Sequence, residues 1–348
     1  MLNAEELLEK AMPGETYNVF LELVYGYYPE FLPNMTATFN QPEVKQGGLV
    51  DTLWDLNYSG LAFTLQNERT GYEESFVNET LVKHNGLFVP TDDAFRTFID
   101  GTLTIKSGFP HWRDTRSLPM DILQFIVGQN FKSIPIYPST PQYKDLFSKT
   151  ARYHQNEGDI IRKEFGSNCT FIGLKNYIPD RVFTSVTGPV FLRPAFSLFR
   201  QAMIYSGAYD QIAKYNGTLY FFPITDNALN VDSSLILNWI DKDKNLYNFL
   251  ELNRAMDQIV SLGSTTLRNR ILNQVGTPVP GGSGNTELIR TLRGNYITWD
   301  HSNNTIRGTL PCTVGYNGIV TATCTPFSMN EPADNGKAWG VGYWFNFK

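Results

Sequence analysis

The stretch Asn85-Gly86-Leu87-Phe88-Val89-Pro90-Thr91-Asp92-Asp93-Ala94-Phe95 packs a turn signal, a short strand and a helix start into eleven residues. Asn85-Gly86 has the composition of a tight turn, and Leu87, Phe88 and Val89 form an apolar, β-favouring run that can be buried on both faces. Pro90 ends that run. Thr91 stands at an N-cap position, with Asp92 and Asp93 in the first turn near the positive end of the helix dipole. Ala94, Phe95, Phe98 and Ile99 follow at helical spacing.

The same grammar returns later in the chain. Lys214-Tyr215-Asn216-Gly217 echoes Lys83-His84-Asn85-Gly86, and Leu219 to Phe222 followed by Thr225-Asp226-Asn227-Ala228-Leu229 echoes the strand and its capped helix. Pro223 sits one place earlier than Pro90 does, and on this alignment the second copy is three residues longer between turn and cap. A long-period repeat decides the architecture before any single element does. The chain is therefore expected to be two copies of one domain.

The length of 348 residues suits two domains of ordinary size. With 42% hydrophobic, 14% aromatic and 18% charged residues, the chain can build cores and is not of the disordered class. A net charge of -5 without a basic block gives no footprint for nucleic acid or for an anionic membrane surface. No apolar run reaches the roughly 20 residues of a membrane span, and Met1-Leu2-Asn3-Ala4-Glu5-Glu6 lacks the pattern of a secretory signal. Three cysteines, Cys169, Cys312 and Cys324, are too few for a disulfide scaffold.

In chain order, residues 1–45 read as a lead-in of uncertain structure, 46–182 as the first copy and 183–348 as the second. Tyr58, Leu61, Ala62 and Leu65 predict a helix in the first copy, matched by Phe196, Phe199 and Met203 in the second. Further helices are expected after Ser117-Leu118-Pro119, ending at Gly128, and from Ser264 to Val275, ending at Gly276. The remainder of each copy reads as strands, among them Asp159 to Phe165, Cys169 to Leu174, Leu292 to Trp299 and Trp339 to Phe347. Helices first and strands after argue for α+β domains with segregated layers, each a helical layer on a small β-sandwich or barrel, and against βαβ crossovers. The proline-punctuated, apolar stretch from Ile178 to Pro194 predicts a short, packed junction rather than a flexible linker.

These residues resemble a known family. Phe88 to Phe95 is similar to the first signature box of fasciclin domains, and Phe221 to Leu229 is a degraded copy of it. Asn168-Cys169-Thr170-Phe171-Ile172-Gly173 and Asn335-Gly336-Lys337-Ala338-Trp339-Gly340-Val341 resemble the family's last box. The resemblance implies tandem α+β domains on secreted or surface-anchored proteins that adhere or bind rather than catalyse. The family's second box commonly carries a Tyr-His pair, whereas the matching residues here are Gln124-Phe125-Ile126-Val127-Gly128 and Leu272-Asn273-Gln274-Val275-Gly276, so a role tied to that pair does not carry over. The segment around Cys169 and the Trp-Gly-Val-Gly-Tyr-Trp-Phe ending look like fasciclin-type surface lipoproteins of gut Bacteroidetes. That likeness implies an exported, lipid-anchored subunit beside an outer-membrane nutrient-uptake complex, with a barrel transporter and its lipoprotein lid as partners and a glycan as a further ligand.

The search for chemistry returns little that is catalytic. His84, His111, His154 and His301 are scattered without a second metal-type ligand at helical spacing, so neither a metal nor a cofactor is expected. Gly281-Gly282-Ser283-Gly284 follows Pro280 as a loop and not as a phosphate-binding turn. Asp92 with Asp93, or Asp241 with Asp243, offers the paired carboxylates of a glycan hydrolase, but adjacent acids at a helix start ordinarily serve the dipole. Cys312 and Cys324 are symmetric about Gly318, so a hairpin there permits a disulfide, the alternative being two half-buried thiols. Binding is expected on aromatics: Trp112 in a loop, and Tyr343 with Trp344 on the terminal strand, where alternation through Trp339, Val341, Tyr343, Phe345 and Phe347 leaves Trp344 on the opposite face. Pro90, Thr91, Asp92, Thr225 and Asp226 are expected to be structural.

Overall fold

The computed structural model describes residues 1–10, 15–25, 30–33, 35–40, 51–57, 84–104, 111–132, 135, 157–230, 264–313, 320–321, 324–329 and 333–347. The expected helix at Tyr58 to Leu65, the strands at Ile134, Ile136 and Leu146 to His154, the pair Asp241 and Asp243, and the Gly318 turn lie outside these residues. The chain separates into two compact units, Met1–Thr102 with Asp114–Ile178, and Leu103–Arg113 with Pro179–Lys348. This grouping differs from the sequence division. Residues 103–113 belong with the second unit, and residues 1–45 contribute to the first.

In the first unit, helices α1 (Ala4–Glu9), α2 (Asn18–Tyr25) and α3 (Met35–Phe39) precede α4 (Asp92–Phe98) and α5 (Met120–Val127). A two-stranded ladder joins β1 (Glu30–Pro33) to β2 (Trp54–Asn57). The main sheet holds β3 (Asn85–Pro90), β4 (Phe131–Lys132), β5 (Ile160–Phe165) and β6 (Cys169–Leu174) in the order β4-β3-β6-β5. All six residues of β3 and of β6 are buried, as an apolar run between two covered faces requires. Asn85 and Gly86 are strand residues, paired with Cys169 and Thr170, and do not form the expected turn.

The second unit holds α6 (Arg181–Thr184), α7 (Gly188–Leu192), α8 (Ser197–Ser206), α9 (Ala208–Ala213), α10 (Asp226–Asn230) and α11 (Ser264–Asn273). Its strands β7 (Leu219–Phe221), β8 (Val275–Val279), β9 (Thr286–Thr291), β10 (Tyr296–Asp300) and β11 (Thr305–Arg307) join β14 (Phe327–Ser328) and β15 (Gly336–Gly340). They form one sheet in the order β11-β10-β9-β8-β7-β15-β14. A second sheet, β13-β12-β16, contains β12 (Leu310–Thr313), β13 (Val320–Thr321) and β16 (Trp344–Asn346). The architecture is α+β in both units.

The internal repeat is visible in hydrogen bonds. In the first unit β3 runs parallel to β6 and antiparallel to β4; in the second, β7 runs parallel to β15 and antiparallel to β8. Asn85 N donates to Asn168 O and Leu219 N to Asn335 O, each at 2.8 Å. Asn130 Nδ2 donates to Phe88 O at 2.8 Å and Gln274 Nε2 to Phe222 O at 3.0 Å. These contacts align Asn85 with Leu219, Phe88 with Phe222 and Asp92 with Asp226 at one constant offset. The three-residue insertion disappears, because Asn85-Gly86 matches the strand residues Leu219-Tyr220 and not Asn216-Gly217. Gly276, opposite Thr291 in β8, likewise corresponds to Lys132 and not to the helix end Gly128.

Between β3 and β6 the chain passes through β4 and β5, so the pair is not a βαβ unit. Residues 1–45 also find their counterpart. Ser167 N donates to Leu2 O and Asp334 N to Thr184 O, both at 2.8 Å, while Ala4 N and Val186 N donate to the side chains of Asn168 and Asn335. Residues 2–4 thus contact the first unit's Ser167 and Asn168 as residues 184–186 contact Asp334 and Asn335.

Candidate functional site

The Thr-Asp motif is the natural place to look for chemistry, and its geometry consumes it. Thr91 caps α4, its hydroxyl oxygen accepting from Ala94 N at 3.5 Å. Asp92 is buried and turns to a different helix: its carboxylate accepts from Val19 N at 2.8 Å and from Asn18 Nδ2 at 3.4 Å, at the start of α2. Asp226 does the same in the second unit, accepting from Ser197 N at 3.0 Å and Leu198 N at 2.9 Å at the start of α8. Each carboxylate thus satisfies backbone donors that a helix cannot satisfy for itself and sits near two positive helix ends. Burial pushes the Asp226 carboxyl up to about 6, although backbone N–H groups of α8 and the Arg200 guanidinium favour the charged form. Asp93 is exposed, which explains why Asn227 can replace it.

The aromatics expected to bind are placed differently. Trp112 is 8% exposed; its indole donates to Phe191 O at 3.0 Å and the Arg200 guanidinium lies 5.3 Å over its ring. Trp344, also 8% exposed, packs 5.7 Å from Phe199 with Arg270 over it. The alternation argument fails because the terminal stretch is two strands, β15 in one sheet and β16 in another, with bends at Gly342 and Tyr343 resetting the parity. Tyr343 is half-buried, and its carbonyl accepts from Gln274 Nε2 at 3.2 Å.

The two cysteines expected to face each other are placed differently. Cys312 pairs with Thr321 across β12 and β13, while Cys324 is buried, bridges to Ile306 and donates to Ile306 O at 3.5 Å. The register symmetric about Gly318 is therefore not the one adopted. Cys169 is free and buried too, and burial pushes its thiol up to about 12. His111 is buried, and the half-buried His84 contacts Thr170 Oγ1 at 3.2 Å, desolvation lowering its pKa. Among the described residues no group of three or more His, Cys, Asp or Glu side chains is placed to hold a metal.

An open groove of about 510 Å³ lies where the Pro280 to Asn285 loop, joining β8 to β9, meets the turn after β10. Glu287 and His301 line it with Gly281, Gly282 and Gly284. Trp299 lies directly opposite Glu287 across the β9–β10 ladder, and the His301 ring packs against the Trp299 indole with centroids 4.6 Å apart and planes tilted by 34°. His301 Nε2 meets Glu287 Oε2 at 2.9 Å. The pKa of the Tyr220 hydroxyl is raised by burial and then by the nearby Glu287 charge. Behind them Tyr220, Trp299 and Trp339 pack edge to face at 4.8 to 6.3 Å, fixing the platform. Asp300 is turned away into its own loop, its carboxyl held low by the Ser302 hydroxyl and N–H and by Asn303.

Sequence reading missed this groove. Glu287 and His301 meet only through the β9–β10 register, and the one local signal, Pro280-Gly-Gly-Ser-Gly284, marks a loop without saying what it faces. No protein-family profile and no curated protein matches the chain. Among solved structures, one match is the FAS1 domain pair of the insect cell adhesion molecule fasciclin I, at 10% identity, covering 76% of this chain and 89% of that one, with a TM-score of 0.23. At that score the backbones do not superpose well enough for the match to bear on the fold.

Proposed function

We propose that this chain is a non-enzymatic binding protein made of two fasciclin-like units, exported and displayed at a cell surface, where it holds a protein partner. The observation that carries this reading is the use of Asp92, one acid of the candidate pair Asp92 and Asp93, and of its counterpart Asp226: both carboxylates are bonded to the backbone at the starts of α2 and α8. A general acid or nucleophile must reach a substrate, and these oxygens face helix ends. The fasciclin assignment rests on the Phe88 to Phe95 box, its Phe221 to Leu229 copy and the two closing strands.

The finer reading is an accessory, lipid-anchored subunit of an outer-membrane uptake complex, touching a barrel transporter and its lid, with a glycan as second ligand. It rests on the likeness of the Cys169 segment and the terminal aromatic stretch to such lipoproteins. Pull-down of the full chain from native membranes should recover defined partner chains in stoichiometric amount; recovery of the protein alone overturns the complex-subunit reading. A glycan-active hydrolase using clustered carboxylates is the competing reading, favoured only in that burial raises the pKa of one carboxyl, Asp226. Turnover of mixed polysaccharides by the full chain would establish it.

A further inference from the structure

We infer that the Glu287–His301 groove binds an arginine side chain presented by a protein partner. The inference deepens the binding reading above and depends on it. Among the described residues lining the groove, Glu287 and His301 are the ionisable side chains and none is Lys or Arg, so a carboxylate sets its electrostatic sign.

The carboxylate is held rather than mobile. His301 engages Oε2 from one side, while His301 is itself packed against the buried Trp299. Among the described residues no group hydrogen-bonds Oε1, so that oxygen and the second lone pair of Oε2 remain for a ligand. The Glu287 side chain is 26% exposed and His301 47%, which leaves both reachable from solvent. The His301 ring therefore presents a flat outer surface beside an anchored carboxylate.

The loop completes the site. Gly281 and Gly284 adopt φ of +124° and +63°, and a Cβ on Gly282 would lie 2.0 Å from Thr286 O. At Gly281, Gly282 and Gly284 the loop side of the groove therefore carries no side chain. A flat imidazole beside a held carboxylate matches a planar guanidinium, which stacks and donates two parallel hydrogen bonds. A lysine ammonium meets the charge but not the plane. A sugar would want an exposed aromatic face, and the Trp299 face is covered by His301.

The test uses the full chain and three capped tripeptides, acetyl-Gly-X-Gly-amide with X as arginine, lysine or citrulline, titrated by NMR on the His301 imidazole and Trp299 indole signals. The arginine peptide should shift both saturably, lysine should bind about tenfold more weakly, and neutral citrulline should give no saturable shift. Glu287→Gln should weaken arginine binding about tenfold or more with the fold intact by circular dichroism, and His301→Ala should weaken it severalfold. Citrulline binding as tightly as arginine overturns the proposal, as does wild-type affinity in both variants. Partner recovery is read separately: undiminished recovery by Glu287→Gln sinks the groove and spares the binding reading, whereas no recovery by wild type sinks the binding reading itself.

Discussion

At the scale of single residues, the acid that follows each capping threonine and the glycines facing backbone carry the sharpest expectations. Asp92→Ala leaves the Val19 N–H without its partner inside the first unit and should cost about 2 kcal/mol, while Asp93→Ala, on the exposed side of the same turn, should stay within about 0.5 kcal/mol. Hydrogen exchange resolved to α2 separates the two variants without assuming that the chain unfolds in one step. For Asp226, the folded pKa of about 6 lies above the ordinary value of 3.8, so the folded state holds the proton more tightly than the unfolded one. That contribution is fully present below the unfolded value and lost as pH rises through about 6. The second unit should therefore gain about 2 kcal/mol between pH 8 and pH 4 from this group, and Asp226→Asn should flatten that part of the profile. Gly336 has φ +147° and would place a Cβ 1.9 Å from Leu219 O, so Gly336→Ala should destabilise the second unit by about 3 kcal/mol or more. Gly342, with nothing within 4 Å, should accept alanine at little cost.

At the scale of elements, the segment from Leu103 to Arg113 shows what local pattern can and cannot say. Trp112 beside His111 and Arg113 has the composition of an exposed recognition loop, yet the indole is buried against Arg200 and Phe191 of the second unit. Trp112→Ala should cost about 3 to 5 kcal/mol and open α7 and α8 to proteolysis while leaving cleavage in β3 to β6 unchanged. Strands β5 and β6 and helices α5 and α11 were readable, because each is a local run of apolar residues between clear stops such as Pro119 and Gly128. The parallel pairing of β3 with β6 was not, since it depends on partners far apart in sequence. The register near Cys312 was hidden for a related reason: it is set by the ladder and not by residue symmetry, and here Cys312 pairs with Thr321 and Thr313 with Val320. The Glu287–His301 groove was equally hidden, being a product of the β9–β10 register and the packing of His301 against Trp299.

At the scale of the whole molecule, the duplication reaches further back than its signature boxes. The Asp that follows each capping threonine needs a helix to cap, and in the first copy that helix is α2, within the stretch that composition left unassigned. Tyr17 and Phe20 are at most 1% exposed, Phe20 packs on Phe95 and Phe131, and Arg162 donates to Leu7 O at 3.1 Å while its guanidinium covers the Phe171 ring. A chain beginning at residue 46 would strip these partners from the Phe95 and Phe131 rings, leave Asp92 buried without donors and strand the Arg162 guanidinium. Burial of a large side chain is worth roughly 1.5 to 3 kcal/mol, so losing Tyr17, Phe20 and Leu7 together exceeds what a domain with a few kcal/mol of net stability can spare. Deletion of residues 1–45 should therefore abolish protection in β3 and β6 while the second unit keeps its Trp299 and Trp339 fluorescence. Protected amides in β3 of the truncated chain would show that the first copy starts where its composition suggested and that α2 is dispensable.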